Sequence, residues 1–508
     1  MSDESGAIAR ALGGLLLALG GLFLVPLIVD LSLDEGGAVG YLVAIAVAVG
    51  GGLGLRWSGR RARGLGSAQA LLVCGLGWIV LSLVGAIPLI WILEMPALDA
   101  VFETVSGFTT TGITLLSGLD ELPRSTLLWR GLIQWVGGLG ILTLFLALIR
   151  EYPGLHALAG AEAHKIKSPR LEPGVLHTLR ILWTIYIGMT VAVAMGLLVG
   201  GVGIFDAVCH ALTALSTGGF STHDASIAYY AGSGVGSPRI VEYVLILGML
   251  AGGTSFMVHY QLLRGRARAL WELPETRWWW AIVVGGAALV ALDVIIGHGG
   301  VTAPTGGAGA SLTGTTGSWW LDLEGMIRAS LFQVLALVTT TGFGTVDIGE
   351  PYFGGLARQL FIWLMLVGGC VGSTGGGFKV LRFVLLGRLF RELLRRAFVP
   401  GRAVSRVVYA GSPVESAELE QVAGLFFAWL LLLALGGAIT ALLSDHGAWA
   451  SLSGMFSALN NIGPCYIPVG ELPSLHPLIK VTYMFGMLAG RLEIIPLVLL
   501  FSRRAWRR

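Results

Sequence analysis

The chain has 508 residues, 55% hydrophobic and 12% charged, with a formal net charge of +3. Soluble chains carry about 25% charged residues; this shortfall and a mean hydropathy of +0.79 place the protein in the membrane class. The scattered basic residues form no basic module of the kind that binds nucleic acid.

In chain order, apolar runs able to cross a hydrocarbon core of about 30 Å fall at 7–29, 40–55, 70–93, 125–149 and 176–199. Five more fall at 240–263, 278–296, 356–386, 425–443 and 478–501. The first lacks a basic leader and a small-residue cleavage site, so it reads as a retained helix. Ten crossings put both termini on one side. Basic clusters follow every even crossing: Arg56–Arg63, Arg150–Arg170, Arg264–Arg268, Arg388–Arg406 and Arg503–Arg508. The positive-inside rule makes that side, and both termini, cytoplasmic. Cys74, Cys209, Cys370 and Cys465 form no CxxC pair and suggest neither a disulfide framework nor a zinc site.

The outer connections after crossings three, five, seven and nine are long. Each holds an apolar stretch too short to span, the mark of a re-entrant segment. Their ends read VSGFTTTGIT, LTALSTGGFS, ALVTTTGFGT and FSALNNIGPC, with glycines at Gly112, Gly218, Gly342 and Gly463. The glycines are spaced by 106, 124 and 121 residues, which signals an internal repeat. The expected fold is therefore an all-α polytopic membrane protein. It would contain four parallel helix–re-entrant loop–helix repeats around a central pseudo-fourfold pore, preceded by two extra helices. The expected divisions are 1–63 for that pair, then 64–172, 173–275, 276–412 and 413–508 for the repeats.

Irregular backbone at membrane depth persists only where it lines a water-filled path or is buried in protein. Rings of backbone carbonyls there can replace the hydration shell of a monovalent cation, and glycine permits the conformations this needs. The four stretches then read as quarters of a selectivity filter: Thr110, Thr111 and Gly112; Ser216, Thr217 and Gly218; Thr340, Thr341 and Gly342; Asn461, Ile462 and Gly463.

Further residues stand out. GGCVGSTGGGFKV, residues 368–380, carries too much glycine to hold a straight helix, so a break is expected at Gly375, Gly376 and Gly377. Arg491, in the middle of the tenth crossing, requires a partner or an aqueous cavity; buried acids and carbonyls are both open to it. Glu493, two positions on, faces elsewhere on a helix. Glu103 lies inside the first re-entrant helix and needs hydrogen-bond donors, which suits a support for the filter. Asp120, Asp224 and Asp347 stand at the outer mouth, where they focus cations or serve as ordinary loop charges. His210 and His259 read as packing histidines. There is no GxSxG, HExxH or P-loop, so no enzyme is expected and no organic cofactor.

STGGFSTHD, TTTGFGT, GGCVGSTGGGFKV, NNIGPC and FGMLAGRLEIIPLVLLF together resemble the TrkH/KtrB superfamily of potassium transporters, over essentially the whole chain. The two leading helices resemble the TrkH type. The resemblance implies potassium as the transported ion, a bacterial inner-membrane location and a homodimer with one pore per subunit. It also implies a TrkA-type cytoplasmic regulatory subunit that binds NAD or ATP. It makes the 375–377 break an intramembrane gate, with Lys379 placing a charge near the path, and sets Arg491 facing the pore below the filter. A close-packing glycine patch with Lys379 snorkelling to the interface is the alternative at the break. At the level of function, the alternative is a proton- or sodium-coupled symporter working by alternating access, for which Glu103 is one of few buried carboxylates available.

Overall fold

The computed structural model describes residues 3–62, 66–151, 175–298, 319–398 and 406–502. The basic residues Arg63, Lys165, Lys167, Arg170, Arg402 and 503–508 lie outside them. So do the expected boundaries between 63 and 64 and between 172 and 173.

Among the described residues the architecture is all-α apart from one small hairpin, in which Val408–Tyr409 pairs antiparallel with Ser412–Pro413. Among the described residues, six helical stretches are long and apolar enough to cross a membrane: Ser5–Leu33, Ala38–Ser58, Gln69–Ile92, His177–Val199, Pro274–Gly297 and Ser416–Leu443. This is a multi-pass membrane protein. The first and third stretches are each interrupted once, at Phe23 and Ala86. Pro26 and Pro88 stand shortly after, and each removes a backbone donor and crowds the carbonyl four residues earlier. The first two spans lie side by side, and a methyl added at Gly13 would sit 2.6 Å from the carbonyl oxygen of Gly52. Close backbone approach of this kind is how small residues pack membrane helices.

After residue 66 a long helix is followed four times by a shorter one that leads into a polar stretch. The short members are Ala97–Phe108, Ile204–Leu215, Trp319–Val338 and Ala448–Asn460. The third has 20 residues, longer than the stretch expected from hydropathy.

Three of the expected crossings are broken; a break in the eighth was expected from its glycines, whereas the sixth and tenth were expected to be continuous. The sixth is Pro238–Gly253 followed by Phe256–Leu263, bent by 106°. The eighth is Gly355–Leu366 followed by Val380–Arg396, so the break spans 367–379 and is wider than the glycine triplet alone. The tenth is Pro477–Leu492 followed by Ile494–Leu500, with Glu493 between them at φ 57°. A helix end leaves its last carbonyls and first amides without intrahelical partners, and lipid cannot supply them. The sixth and eighth breaks satisfy one another. Gly252 O accepts from Thr374 N at 3.1 Å, Gly253 O from Cys370 N at 3.0 Å, and Gly372 O from Phe256 N at 2.9 Å.

Candidate functional site

All four short helices end in the same turn. The N–H groups of Thr111, Gly218, Thr341 and Ile462 reach back five residues to Ser106, Thr213, Ala336 and Ser457, at 2.8–3.0 Å. The residue before each, Thr110, Thr217, Thr340 or Asn461, is left-handed with φ of 54–60° and bonds the carbonyl three residues back. This is the Schellman closure of a helix, in which the left-handed position is usually glycine. A β-branched residue there is an outlier, with a cost of order 1–3 kcal/mol, and such strain gathers at functional sites. In both TTTG copies the hydroxyls flanking the strained threonine bond each other, Thr109 to Thr111 and Thr339 to Thr341, both at 2.7 Å.

Two residues after the left-handed position comes a second positive φ, always at glycine: Gly112 (82°), Gly219 (74°), Gly342 (81°) and Gly463 (106°). This corrects the alignment of the second stretch by one residue. Gly218 stands where Thr111, Thr341 and Ile462 stand, and Gly219 is the equivalent of the other three glycines. Where two glycines adjoin, composition cannot choose between them; the backbone does.

The four turns meet edge to edge. A methyl added at Gly112 would lie 2.2 Å from Gly218 O. At Gly219 it would lie 1.9 Å from Thr341 O, at Gly342 1.9 Å from Ile462 O, and at Gly463 3.1 Å from Thr111 O. Each glycine abuts the carbonyl of the next turn, and the fourth returns to the first. Side chains brace this closed ring. Asn461 Nδ2 donates to Thr111 Oγ1 at 2.8 Å and to Met487 O at 2.9 Å. Gln134 Nε2 donates to Gly218 O at 2.7 Å, and its Oε1 accepts from Phe220 N at 3.0 Å.

Glu103 is fully buried and finds its donors: Thr114 Oγ1 at 2.8 Å, Leu115 N at 2.9 Å and Arg130 Nε at 2.9 Å. Arg130 continues to Ser221 O at 3.1 Å and lies 4.1 Å from the Phe220 ring centroid, tying the first turn to the second. Arg130 and Gln134 were missed in the sequence. Their one signal was polarity in the middle of an apolar helix.

A cavity of about 730 Å³ is lined by the four ring glycines and by residues that follow them in each turn. Asp224, Asp293, Asp347 and Glu350 also line it. Asp224 accepts from Gly118 N (2.9 Å) and Leu119 N (3.2 Å), and Asp347 from Gly349 N (2.7 Å), so these acids brace loops while adding negative charge. His223 hydrogen-bonds Asp120 and lies 3.5 Å from Asp206. Burial works against its charged form, but the hydrogen bonds and charges of Asp206 and Asp120 outweigh that and raise its pKa above 6.5. His210 and His259 are satisfied packing residues, bonded to Asp206 O and Ser221 Oγ and to Ala251 O respectively.

The unwound segment 367–379 meets the turns from the opposite end, through residues preceding the ring glycines. Gly376 N donates to Thr340 Oγ1 at 2.8 Å, and Thr374 Oγ1 to Leu215 O at 2.8 Å. Methyls added at Gly375 and Gly377 would lie 3.0 Å from Thr339 O and 3.4 Å from Asn460 O. Lys379 is buried and donates to Gly375 O, which ties it into the segment instead of extending it to an interface. Arg491 takes the carbonyl option: it donates to Thr374 O (2.7 Å), Gly137 O (2.8 Å) and Gly138 O (2.9 Å). Glu493 bonds Arg382, not Arg491. The cavity and the unwound segment thus lie on opposite sides of the ring.

A polytopic helical fold enclosing such a ring defines a membrane ion transporter. The model of the TrkH family, described as cation transport protein, matches residues 42–281 and 314–507, and the chain belongs to this family of transporters, which are not enzymes. The chain is 34% identical to the Trk system potassium uptake protein TrkH of Escherichia coli K12, covering 99% of both. It is 32% identical to the Trk system potassium uptake protein TrkI of Halomonas elongata, over 99% of this chain and 97% of that one. The crystal structure of the potassium transporter TrkH from Vibrio parahaemolyticus superposes with a TM-score of 0.85 at 28% identity, over 99% of each chain.

Proposed function

We propose that the protein carries potassium inward through a gated pore whose selective element is the ring. The closure of the four turns on one another carries this reading. Carbonyls of Thr111, Gly218, Thr341 and Ile462 at one level can stand in for water around a monovalent cation, and the cavity's acids raise the local cation concentration. Thr110, Ser216, Thr217, Thr340 and Asn461 shape the turns that aim those carbonyls. Gly112, Gly219, Gly342 and Gly463 let the turns approach. The names of the relatives supply potassium as the ion.

The repeats are 64–172, 173–275, 276–412 and 413–508, arranged about the ring axis after the 1–63 pair. The unwound segment, with Gly375, Gly376, Gly377 and Lys379, is the gate, and Arg491 holds it from below. A homodimer in a bacterial inner membrane, with cytoplasmic termini and a TrkA-type regulatory subunit, fits both the charge distribution and membership of a Trk system. The test is rubidium uptake into liposomes by wild type and Gly342→Ala. Loss of uptake in a folded variant supports the reading, and undiminished selective uptake overturns it.

A further inference from the structure

Nine residues before the ring glycines stand Glu103, His210, Gln333 and Gly454. In the first two quadrants this layer joins the short helix to the chain leaving its turn. Glu103 does so through Thr114 and Leu115, and His210 through Ser221 Oγ at 3.1 Å. At Gly454 the space is taken by a hydroxyl, since an added methyl would lie 2.0 Å from the Tyr483 oxygen. The third quadrant differs. Gln333 is 1% exposed, yet neither Oε1 nor Nε2 has a hydrogen-bond partner among the described residues. The Thr345 hydroxyl, also 1% exposed, is in the same position. Both residues line the cavity above the ring, together with Asp347 and Glu350 from the same connection.

Buried polar groups are seldom left unsatisfied, because the lost hydration is not repaid. Here they face a cavity bordered by carboxylates. Among the described residues lining it, Arg130 is the one guanidinium or ammonium, and Glu103 already neutralises it. We propose that Gln333 Oε1 and Thr345 Oγ1 hold a partly hydrated monovalent cation, a loading site one layer outside the ring. Neutral amide and hydroxyl oxygens suit an alkali cation, whereas divalent ions favour direct carboxylate ligands. A water retained by the ion accepts from Gln333 Nε2. The inference rests on the ring being a cation path and adds a step before it.

The test is rubidium uptake into liposomes by the full chain, measured across external rubidium concentrations for wild type, Gln333→Leu and Thr345→Val. Loss of one ligand is expected to raise the half-saturating concentration by roughly three- to tenfold, a larger factor than any fall in maximal rate. Half-saturation within about twofold of wild type in both variants, or a fall confined to maximal rate, overturns the loading site. If Gln333→Leu does not fold, the nearly isosteric Thr345→Val decides alone. Gly342→Ala in the same preparation separates the two ideas. If it abolishes uptake while half-saturation stays fixed in the loading-site variants, only the loading site falls; if it retains selective uptake, the ring reading falls first.

Discussion

The amide of Gly376 donates to the hydroxyl of Thr340 across 2.8 Å, so the unwound segment is bonded directly to a strained residue of the third turn. Movement of that segment must break this bond. Thr340→Val keeps the β-branch and removes the acceptor, and one such bond contributes about 1 kcal/mol, or roughly fivefold in an open–closed equilibrium. The expected outcome is higher rubidium flux in the absence of any regulatory subunit. Flux equal to wild type would mean that this contact does not hold the segment closed.

The corrected register makes adjacent glycines unequal. Gly219 has φ 74°, and a methyl there meets backbone, Thr341 O at 1.9 Å. A methyl at Gly218 meets the Gln134 side chain at 2.4 Å, which can move, and Gly218 is not among the positive-φ residues. Gly219→Ala should therefore abolish uptake, and Gly218→Ala should leave a measurable fraction. Matched flux assays on the two purified variants decide it; the reverse order would restore the original alignment.

His223 provides a pH signature. Its pKa is raised on folding, so its contribution to stability is full below its unfolded value near 6.5 and is lost as pH climbs through the higher folded value. The pinning of the outer loops by Asp120 and Asp206 should weaken on the alkaline side. Thermal unfolding midpoints between pH 6 and 9 should fall for wild type more than for His223→Gln. Parallel profiles would remove the histidine from the account.

Arg382 and Glu493 link the helix leaving the unwound segment to the break in the last helix. Removing one partner leaves a largely buried charge, so Arg382→Gln and Glu493→Gln should each lower the unfolding midpoint. The double variant should lose less than the two together, with a coupling of roughly 1–3 kcal/mol. Additive losses would show that the pair does not act as a unit.

Much of this was legible in the sequence. The four polar turns, three of the four ring glycines, the interrupted eighth crossing and the buried arginine were all marked by residue types that do not belong in an apolar helix. What escaped depended on conformation more than on composition. Threonine gives no hint that it will adopt φ near 54°, as Thr110 and Thr217 do, because the left-handed position of such a closure is usually glycine. The sixth crossing breaks after Gly252 and Gly253 because Cys370 and Thr374, over a hundred residues away, satisfy the freed carbonyls. The tenth breaks at Glu493, which Arg382 holds, and Pro496 shortly after crowds the carbonyl of Leu492, a signal that was present in the sequence. Arg130 and Gln134 could be ranked only once their partners across the ring were known.

The central claim is that carbonyls from four unlike turns surround one ion. The most direct measurement is anomalous scattering from crystals grown in rubidium. The account requires a peak on the axis, between the carbonyl oxygens of Thr111, Gly218, Thr341 and Ile462. Rubidium that is carried by the protein but leaves no peak there, or occupies a path that bypasses the four turns, would contradict it.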